Sequence, residues 1–232
     1  MNITICSVPT EVPGAKLGRE RSEGQMGIMP KIAITSLNNW ANKHGFGCKF
    51  YDIDMLYPDD EALEKYFRDE QPDVVGLSAV VSTCYMQVKR ITKIIRKVKK
   101  ETLIVCGGYL TAAANVVLRK TDVDVCVVGN GEIAWVGLLK FYKEHLKTGK
   151  NKLDIDKLLE VKGIAILDEN ELKFSGYGTT LPGCEMTFPD FEYLKSGLLD
   201  KPESVKNYFR KFKDNEIFSM DSRSYEKHRK PN

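Results

Sequence analysis

Several features that mark membrane, secreted and disulfide-rich proteins are missing from this 232-residue sequence. No apolar run approaches the roughly 20 residues that cross a bilayer, so we expect no membrane span. The first residues have neither a basic start nor a small-residue cleavage site, which argues against a signal peptide and predicts a cytoplasmic location. None of the six cysteines is paired at Cys-x-x-Cys spacing, which predicts buried, reduced thiols.

Histidine is scarce, and the charges are nearly balanced. The three histidines lie at predicted helix ends or near the C-terminus, which gives little support to a catalytic Ser–His or Cys–His pair. From Lys201 onward there are nine Lys and Arg against five Asp and Glu, while the rest of the chain has 26 against 27. A neutral body with a basic tail argues against a dedicated nucleic-acid binder.

The chain is organised around three short β-branched runs, at residues 74–78, 103–108 and 125–131, each of which ends in small residues. Continuous apolar runs are typical of strands that are buried on both faces. Helical patterns separate the runs, which predicts a parallel sheet wound by crossover helices. With strands at 3–8 and 49–53, the predicted fold is a doubly wound, five-stranded α/β sheet of the flavodoxin-like type.

The chain divides into three predicted parts. Residues 1–148 form the α/β domain, 149–199 form a hairpin and linker extension, and 200–232 form a basic tail. The hairpin is expected at residues 163–174, where two β runs flank a turn. Past about Leu199 we expect poor order, because the tail is charged and lacks an apolar stripe long enough to dock firmly.

The predicted ligand site is the carboxyl edge of the sheet, where ligands of parallel α/β sheets bind. Ser78, the pair Gly107-Gly108 and the 129–131 loop all fall at that edge. Small residues let the backbone approach a ligand closely, and a serine hydroxyl both donates and accepts hydrogen bonds. We expect Gly108 to face the ligand and Gly107 to be the structural glycine, because Gly107 ends a buried strand. Each feature alone also fits an ordinary tight turn.

Together these elements resemble a known family. Ser78-Ala79-Val80, followed after 26 residues by Gly107-Gly108, resembles the Ser-x-Leu and Gly-Gly elements of cobalamin-binding domains. A wider set of motifs, in the same order, resembles the N-terminal domain of B12-dependent radical SAM enzymes over about residues 1–195. Those motifs stand here at residues 107–111, 123–132, 163–174 and 181–191.

The resemblance implies a cobalamin site in which the nucleotide tail of the cofactor lies beside Ser78 and the glycines. It implies no catalytic residue in this chain and assigns no residue as a metal ligand, and the lower face of cobalt would meet water or a loop side chain. The implied partner is a radical SAM barrel, in the same chain or a partner chain, that would carry methyl transfer or related radical chemistry with S-adenosylmethionine and a 4Fe–4S cluster. The residues that the resemblance assigns to cobalamin are Ser78, Ala79, Val80, Ser82, Thr83, Gly107, Gly108, Tyr109, Gly129, Asn130, Gly131 and Glu132.

Three departures from the family pattern narrow this interpretation. The loop at residues 9–25 lacks the Asp-x-His-x-x-Gly motif whose histidine binds cobalt in methyltransferases and mutases, which favours the radical SAM branch. Tyr109 and Leu110 occupy the region of a usual histidine, and Asn130 stands where glutamate is common. No Cys-x-x-x-Cys-x-x-Cys triplet for the iron–sulfur cluster is present, so the chain is expected to be a fragment or a stand-alone binding domain.

Two other functions fit parts of the sequence. Residues 129–134 match the Gly-x-Gly-x-x-Ala pattern of dinucleotide sites, but that motif belongs after the first strand and here follows the fifth. A degenerate domain that binds no cofactor and acts as a protein-interaction module is the main alternative. Retention of cobalamin by the purified chain separates this alternative from the cobalamin-binding hypothesis.

Overall fold

The computed structural model describes residues 1–10, 17, 31–150, 152–185 and 190–208. Within these ranges the strands form one sheet in the order β2-β1-β3-β4-β5-β6-β7. The first five strands are parallel, and the last two are antiparallel. The predicted five-stranded parallel core is confirmed, and the predicted hairpin extends the same sheet. The strands are β1 Ile3–Ser7, β2 Lys49–Tyr51, β3 Val74–Ser78, β4 Leu103–Gly107, β5 Val125–Val127, β6 Ile164–Asp168 and β7 Glu171–Phe174.

Helices cover both faces of this sheet. In the described ranges, no helix combines the length and the apolar character that a membrane crossing needs. Short 3₁₀ turns occur at Ser82–Cys84, Tyr109–Ala113, Gly183–Glu185 and Pro202–Tyr208. The α-helices are α1 Ile32–Lys43, α2 Ile53–Leu56, α3 Asp60–Glu70, α4 Tyr85–Val98, α5 Ala114–Lys120, α6 Glu132–Thr148, α7 Ile155–Leu158 and α8 Phe191–Ser196.

Three of these helices, α2, α7 and α8, were not predicted from the sequence. Each has only four to six residues, which is too short for a 3.6-residue apolar period to show. Each begins with an aspartate whose side chain accepts a hydrogen bond from a backbone N–H in the first turn: Asp52, Asp154 and Asp190. These N-caps were the available sequence signal for the three helices.

The core lies on both sides of β3. Val74, Val75 and Leu77 are each at most 2% exposed, as the continuous apolar run predicts. Helix α4 packs its apolar face against the sheet, while its basic face is solvated and forms ion pairs with neighbouring elements, such as Arg96 with Asp124. The basic face of α4 therefore has partners within the chain itself.

The connections place a crevice between β1 and β3. The chain leaves β1 for β2 on one side of the sheet and later enters β3 on the other side, so the strand order reverses between these two strands. Ligands of open α/β sheets bind outside the carboxyl ends of the strands at such a switch point. Ser7 pairs with Ser78, and Ser78 pairs with Gly107, so these three residues form one row at the carboxyl edge.

The segment after Leu199 differs from the prediction of poor order. Residues 202–208 form a 3₁₀ turn, and Tyr208 is only 5% exposed. The Tyr208 hydroxyl donates a hydrogen bond to the carboxylate of Asp52, which is fully buried. A single aromatic anchor of this kind produces no apolar stripe, which is why the sequence pattern missed it. Residues 209–232, the rest of the predicted tail, lie outside the described residues.

The cysteines support the prediction of reduced thiols. All six are free, and five are buried, whereas Cys184 is exposed. Burial raises the pKa of Cys48 and of Cys126 to about 12, which suppresses their reactive thiolate forms at neutral pH. We expect 5,5′-dithiobis(2-nitrobenzoate) to react rapidly with one thiol per native chain at pH 8, and with six in denaturant. A second rapidly reacting thiol in the native protein would contradict this burial.

Candidate functional site

A cavity of about 370 Å³ opens at the carboxyl edge of the sheet, beneath α1 and α6. Ile5, Gly76 and Val105 form one row of its sheet wall, since Ile5 pairs with Gly76 and Gly76 with Val105. Leu37 of α1 and Trp135 of α6 face this row from the helical side. The volume lies within the usual range of small-molecule sites, at roughly 300–1,000 Å³.

Gly76 and Trp135 define the floor of the cavity. A Cβ atom added at Gly76 would lie 3.0 Å from Cη2 of Trp135, so the indole uses the space that a side chain on β3 would occupy. Trp135 is 3% exposed. The absence of a side chain at Gly76 therefore lets the Trp135 ring pack against β3 and close the floor of the cavity.

Ser78 supplies a hydroxyl at the mouth of the cavity. The residue is partly exposed and lines the cavity wall. Its side chain makes no hydrogen bond to any residue that the structure describes. Since a hydroxyl group both donates and accepts, Ser78 is available to a polar group of a ligand.

The two glycines after β4 have opposite roles from those predicted. Gly108 has φ +90°, and a Cβ there would lie 2.3 Å from the carbonyl oxygen of Ala79. The clash arises because the two strand-end loops cross here: the Ala79 N–H donates to Gly107 O, and the Leu110 N–H donates to Ala79 O. At Gly107 an added Cβ would meet only Val127 Cβ, at 4.0 Å. The prediction that Gly107 is the structural glycine and Gly108 the replaceable one is therefore wrong.

The loop between β5 and α6 forms the other side of the mouth. Gly129 has φ +92° and open space around its Cβ position, a conformation that favours glycine. Asn130 Nδ2 donates to Thr180 Oγ1 at 3.0 Å, which connects this loop to the segment after the hairpin. Glu132 accepts a hydrogen bond of 2.8 Å from Ser36 Oγ, which connects the start of α6 to α1.

Most of the residues predicted to bind the cofactor gather at this cavity. Ala79 is buried behind the wall, Ser82 and Thr83 are exposed on a neighbouring 3₁₀ turn, and Glu132 is bonded to α1, so these four do not line it. Their contact with a cofactor stays a prediction, as it does for the lining residues. The predicted residues that line the cavity are Ser78, Val80, Gly107, Gly108, Tyr109, Gly129, Asn130 and Gly131.

The interior of the cavity was not predicted. Its apolar side chains follow the same patterns as core positions, so periodicity alone could not separate them from the core. The available signal was Gly76, since an isolated glycine within a strand often marks a close approach. The lining residues that the sequence analysis missed are Ile5, Ala33, Leu37, Gly76, Leu77, Val105, Thr111, Ala112, Val127, Val128 and Trp135.

A buried carboxyl group lies past the end of β2, next to Ser7 at the carboxyl edge of the sheet. Asp52 accepts hydrogen bonds from the Ser7 and Tyr208 hydroxyls and, at 3.0 Å, from the Met55 N–H. Burial raises the pKa of Asp52, while the nearby charge of Lys31 opposes the shift. These bonds fasten the 202–208 segment to the edge of the sheet. By contrast, the described side chains that line the cavity carry no charge.

Residues 26–139 match the model of the B12 binding domain family. This part of the chain is therefore similar in sequence to B12 binding domains. The matched residues run from before α1 into α6 and include β2 to β5. They therefore contain most of the sheet wall and both helices that enclose the cavity.

Known proteins with related sequences or folds are longer than this chain. The anaerobic magnesium-protoporphyrin IX monomethyl ester cyclase of Cereibacter sphaeroides is 29% identical over 169 residues, which cover 71% of this chain and 26% of that protein. The radical S-adenosylmethionine methyltransferase TsrM from Kitasatospora setae, solved with cobalamin and a 4Fe–4S cluster, superposes with a TM-score of 0.59 and 16% identity. That match covers 82% of this chain and 31% of TsrM.

A second solved structure is the cobalamin-dependent S-adenosylmethionine radical enzyme OxsB with aqua-cobalamin bound. It superposes with a TM-score of 0.61 and 19% identity, over 85% of this chain and 25% of OxsB. The described part of this chain thus shares its fold with parts of these two radical enzymes. The chain spans about a quarter to a third of the length of the relatives that it matches.

Proposed function

We propose that this chain binds cobalamin, with the nucleotide tail of the cofactor in the cavity and the corrin ring at the carboxyl edge of the sheet. The observation that carries the proposal is the 370 Å³ cavity whose mouth combines the unbonded Ser78 hydroxyl with the side-chain-free Gly107. The residues present fit the group, because an apolar interior suits an aromatic base and a polar mouth suits a sugar phosphate.

Each part of the wall has a distinct task in this proposal. Ser78 would hydrogen-bond to the tail, and Gly107 would let the tail pass close to β4. The apolar interior would keep water from the buried base, and the backbone of the 129–131 loop would border the mouth. When bound, cobalamin supplies a cobalt centre that carries a transferable group.

We further propose that the chain is the cofactor-binding part of a B12-dependent radical SAM enzyme. The similarity to TsrM and OxsB supports this, since each is named as a radical enzyme with cobalamin bound. A radical SAM barrel with S-adenosylmethionine and a 4Fe–4S cluster would then act on the bound cobalamin, in methyl transfer or related chemistry. In this arrangement residues 1–148 hold the cofactor, residues 149–199 extend the sheet, and residues 200–232 lead toward the barrel.

We expect the purified chain to retain hydroxocobalamin in equilibrium dialysis at tens of micromolar. Ser78→Ala should weaken binding by about 0.5–1.5 kcal/mol, the contribution of one hydrogen bond. Ser196→Ala serves as the matched control, because Ser196 lies on α8, is exposed and does not line the cavity. No retention by the folded wild-type chain would refute cobalamin binding and favour the protein-interaction module.

A further inference from the structure

The cavity wall changes in character from its mouth to its floor. At the mouth lie the Ser78 hydroxyl and the backbone of the glycine-containing loops. Below the mouth the wall is apolar, and Ile5, Val105 and Val127 are each at most 4% exposed. Leu37 covers the interior from α1, and the Trp135 ring closes the floor.

Two side chains place polar groups below the mouth of the cavity, the Thr111 hydroxyl and the Trp135 indole N–H. The Thr111 hydroxyl lies 2.8 Å from the carbonyl oxygens of both Gly108 and Val127. The indole nitrogen of Trp135 is buried and has no hydrogen-bond partner among the described residues, so it is the one unpaired donor of the interior side chains. The described interior therefore offers an entering group few partners for hydrogen bonds.

An interior of this kind discriminates between ligands by their polarity. A buried donor or acceptor that loses its water without gaining a partner weakens binding, by about tenfold or more for each group. Dimethylbenzimidazole exposes one free ring nitrogen once it leaves cobalt. Adenine exposes several ring nitrogens and an amino group, so its burial here would leave more groups without partners.

We propose that this cavity selects among cobamides by the polarity of the lower base, accepting apolar arenes and disfavouring purines. The proposal rests on the proposed function, because it requires the nucleotide tail to enter the cavity. Dimethylbenzimidazole and p-cresol are the accepted bases, and adenine is the disfavoured one. Leu37 determines the specificity from the helical wall, because its side chain is the partly exposed apolar cover of the interior.

The test is equilibrium dialysis of four corrinoids against the wild-type chain: cobalamin, its p-cresol analogue, its adenine analogue, and cobinamide, which lacks the nucleotide. We expect cobalamin and the cresol form to bind at least tenfold more tightly than the adenine form, with cobinamide also weaker than cobalamin. The weaker base adenine leaves cobalt more readily in solution. That effect alone would make the adenine form bind more tightly. A preference for cobalamin would therefore come from the contacts of the base with the cavity.

Two variants of Leu37 isolate the polarity of the wall. Leu37→Gln places an amide in the cavity and should reduce the ratio of adenine-form to cobalamin dissociation constants by at least threefold. Leu37→Met keeps an apolar side chain of similar size and should leave this ratio unchanged. The ratio of dissociation constants in each variant is compared with the same ratio in the wild-type chain. The free corrinoids are the same in both measurements, so differences between the bases in solution cancel.

The outcomes separate this inference from the proposed function. A wild-type ratio below about threefold, or a ratio that Leu37→Gln leaves unchanged, overturns base selection while cobalamin binding stands. Cobinamide binding as tight as cobalamin binding overturns the inference as well, because the tail would then lie outside the cavity. Failure of all four corrinoids to bind refutes the proposed function and this inference with it.

Discussion

Replacing Gly107 with valine should reduce the affinity for cobalamin at least a hundredfold, while the melting temperature without cofactor stays within a few degrees of wild type. The added Cβ would meet only Val127, at the ordinary distance of 4.0 Å, and β-branched residues suit a strand end. The side chain would project beside Ser78 and Val105 into the mouth of the cavity, where the nucleotide tail is proposed to enter. Equilibrium dialysis and melting curves with and without cobalamin measure both effects.

Two controls accompany this variant. Gly47→Val places the same side chain at an exposed glycine with open space around it and away from the cavity, so cobalamin binding should persist. Cobinamide, which lacks the tail, should bind Gly107→Val nearly as well as it binds the wild-type chain. Unchanged cobalamin affinity in a well-folded Gly107→Val protein would place the site elsewhere.

Replacing Gly108 with alanine should destabilise the fold itself. The residue has φ +90°, and the new Cβ would lie 2.3 Å from the backbone oxygen of Ala79, so the crossing loops of β3 and β4 must separate. Backbone strain and a steric clash each cost roughly 1–3 kcal/mol, so we expect the free energy of unfolding to fall by about 2–6 kcal/mol. In a chain of this size, each kcal/mol lowers the melting temperature by roughly 2–4 °C.

The control for Gly108→Ala is Gly149→Ala at the end of α6. Gly149 has φ +63° and nothing within 4 Å of its Cβ position, so the control carries a positive-φ cost without the clash. Its ψ of 13° places it in the left-handed helical region, which alanine tolerates better than the φ +90°, ψ −179° of Gly108, so part of any difference is conformational. Urea unfolding of both variants measures the difference. If Gly108→Ala were no less stable than Gly149→Ala, the result would contradict the close contact between position 108 and the Ala79 carbonyl.

The parallel strands could be predicted because their burial leaves a clear pattern. The prediction for β3 matches the observed bounds Val74–Ser78, since a strand covered on both faces is apolar at nearly every position. The hairpin was also predicted, but its addition to the sheet through β5 and β6 was not. That pairing depends on contacts distant in sequence, which local patterns do not encode.

Part of the candidate site could likewise be predicted from the sequence, and part could not. The sequence placed Ser78 and the glycines at one sheet edge, because the carboxyl ends of parallel strands meet there. It could not tell Gly107 from Gly108, since their roles depend on one backbone angle and on the position of Ala79. The Trp135 floor and the Tyr208–Asp52 contact likewise depend on tertiary packing.

We propose that the nucleotide tail of cobalamin occupies the cavity between the sheet and helices α1 and α6. A crystal structure of the chain with hydroxocobalamin tests it most directly. We expect electron density for dimethylbenzimidazole between Val105 and Leu37, with the sugar phosphate beside Ser78 and Gly107. A bound cobalamin whose base remains on cobalt, with the cavity free of the tail, would contradict it.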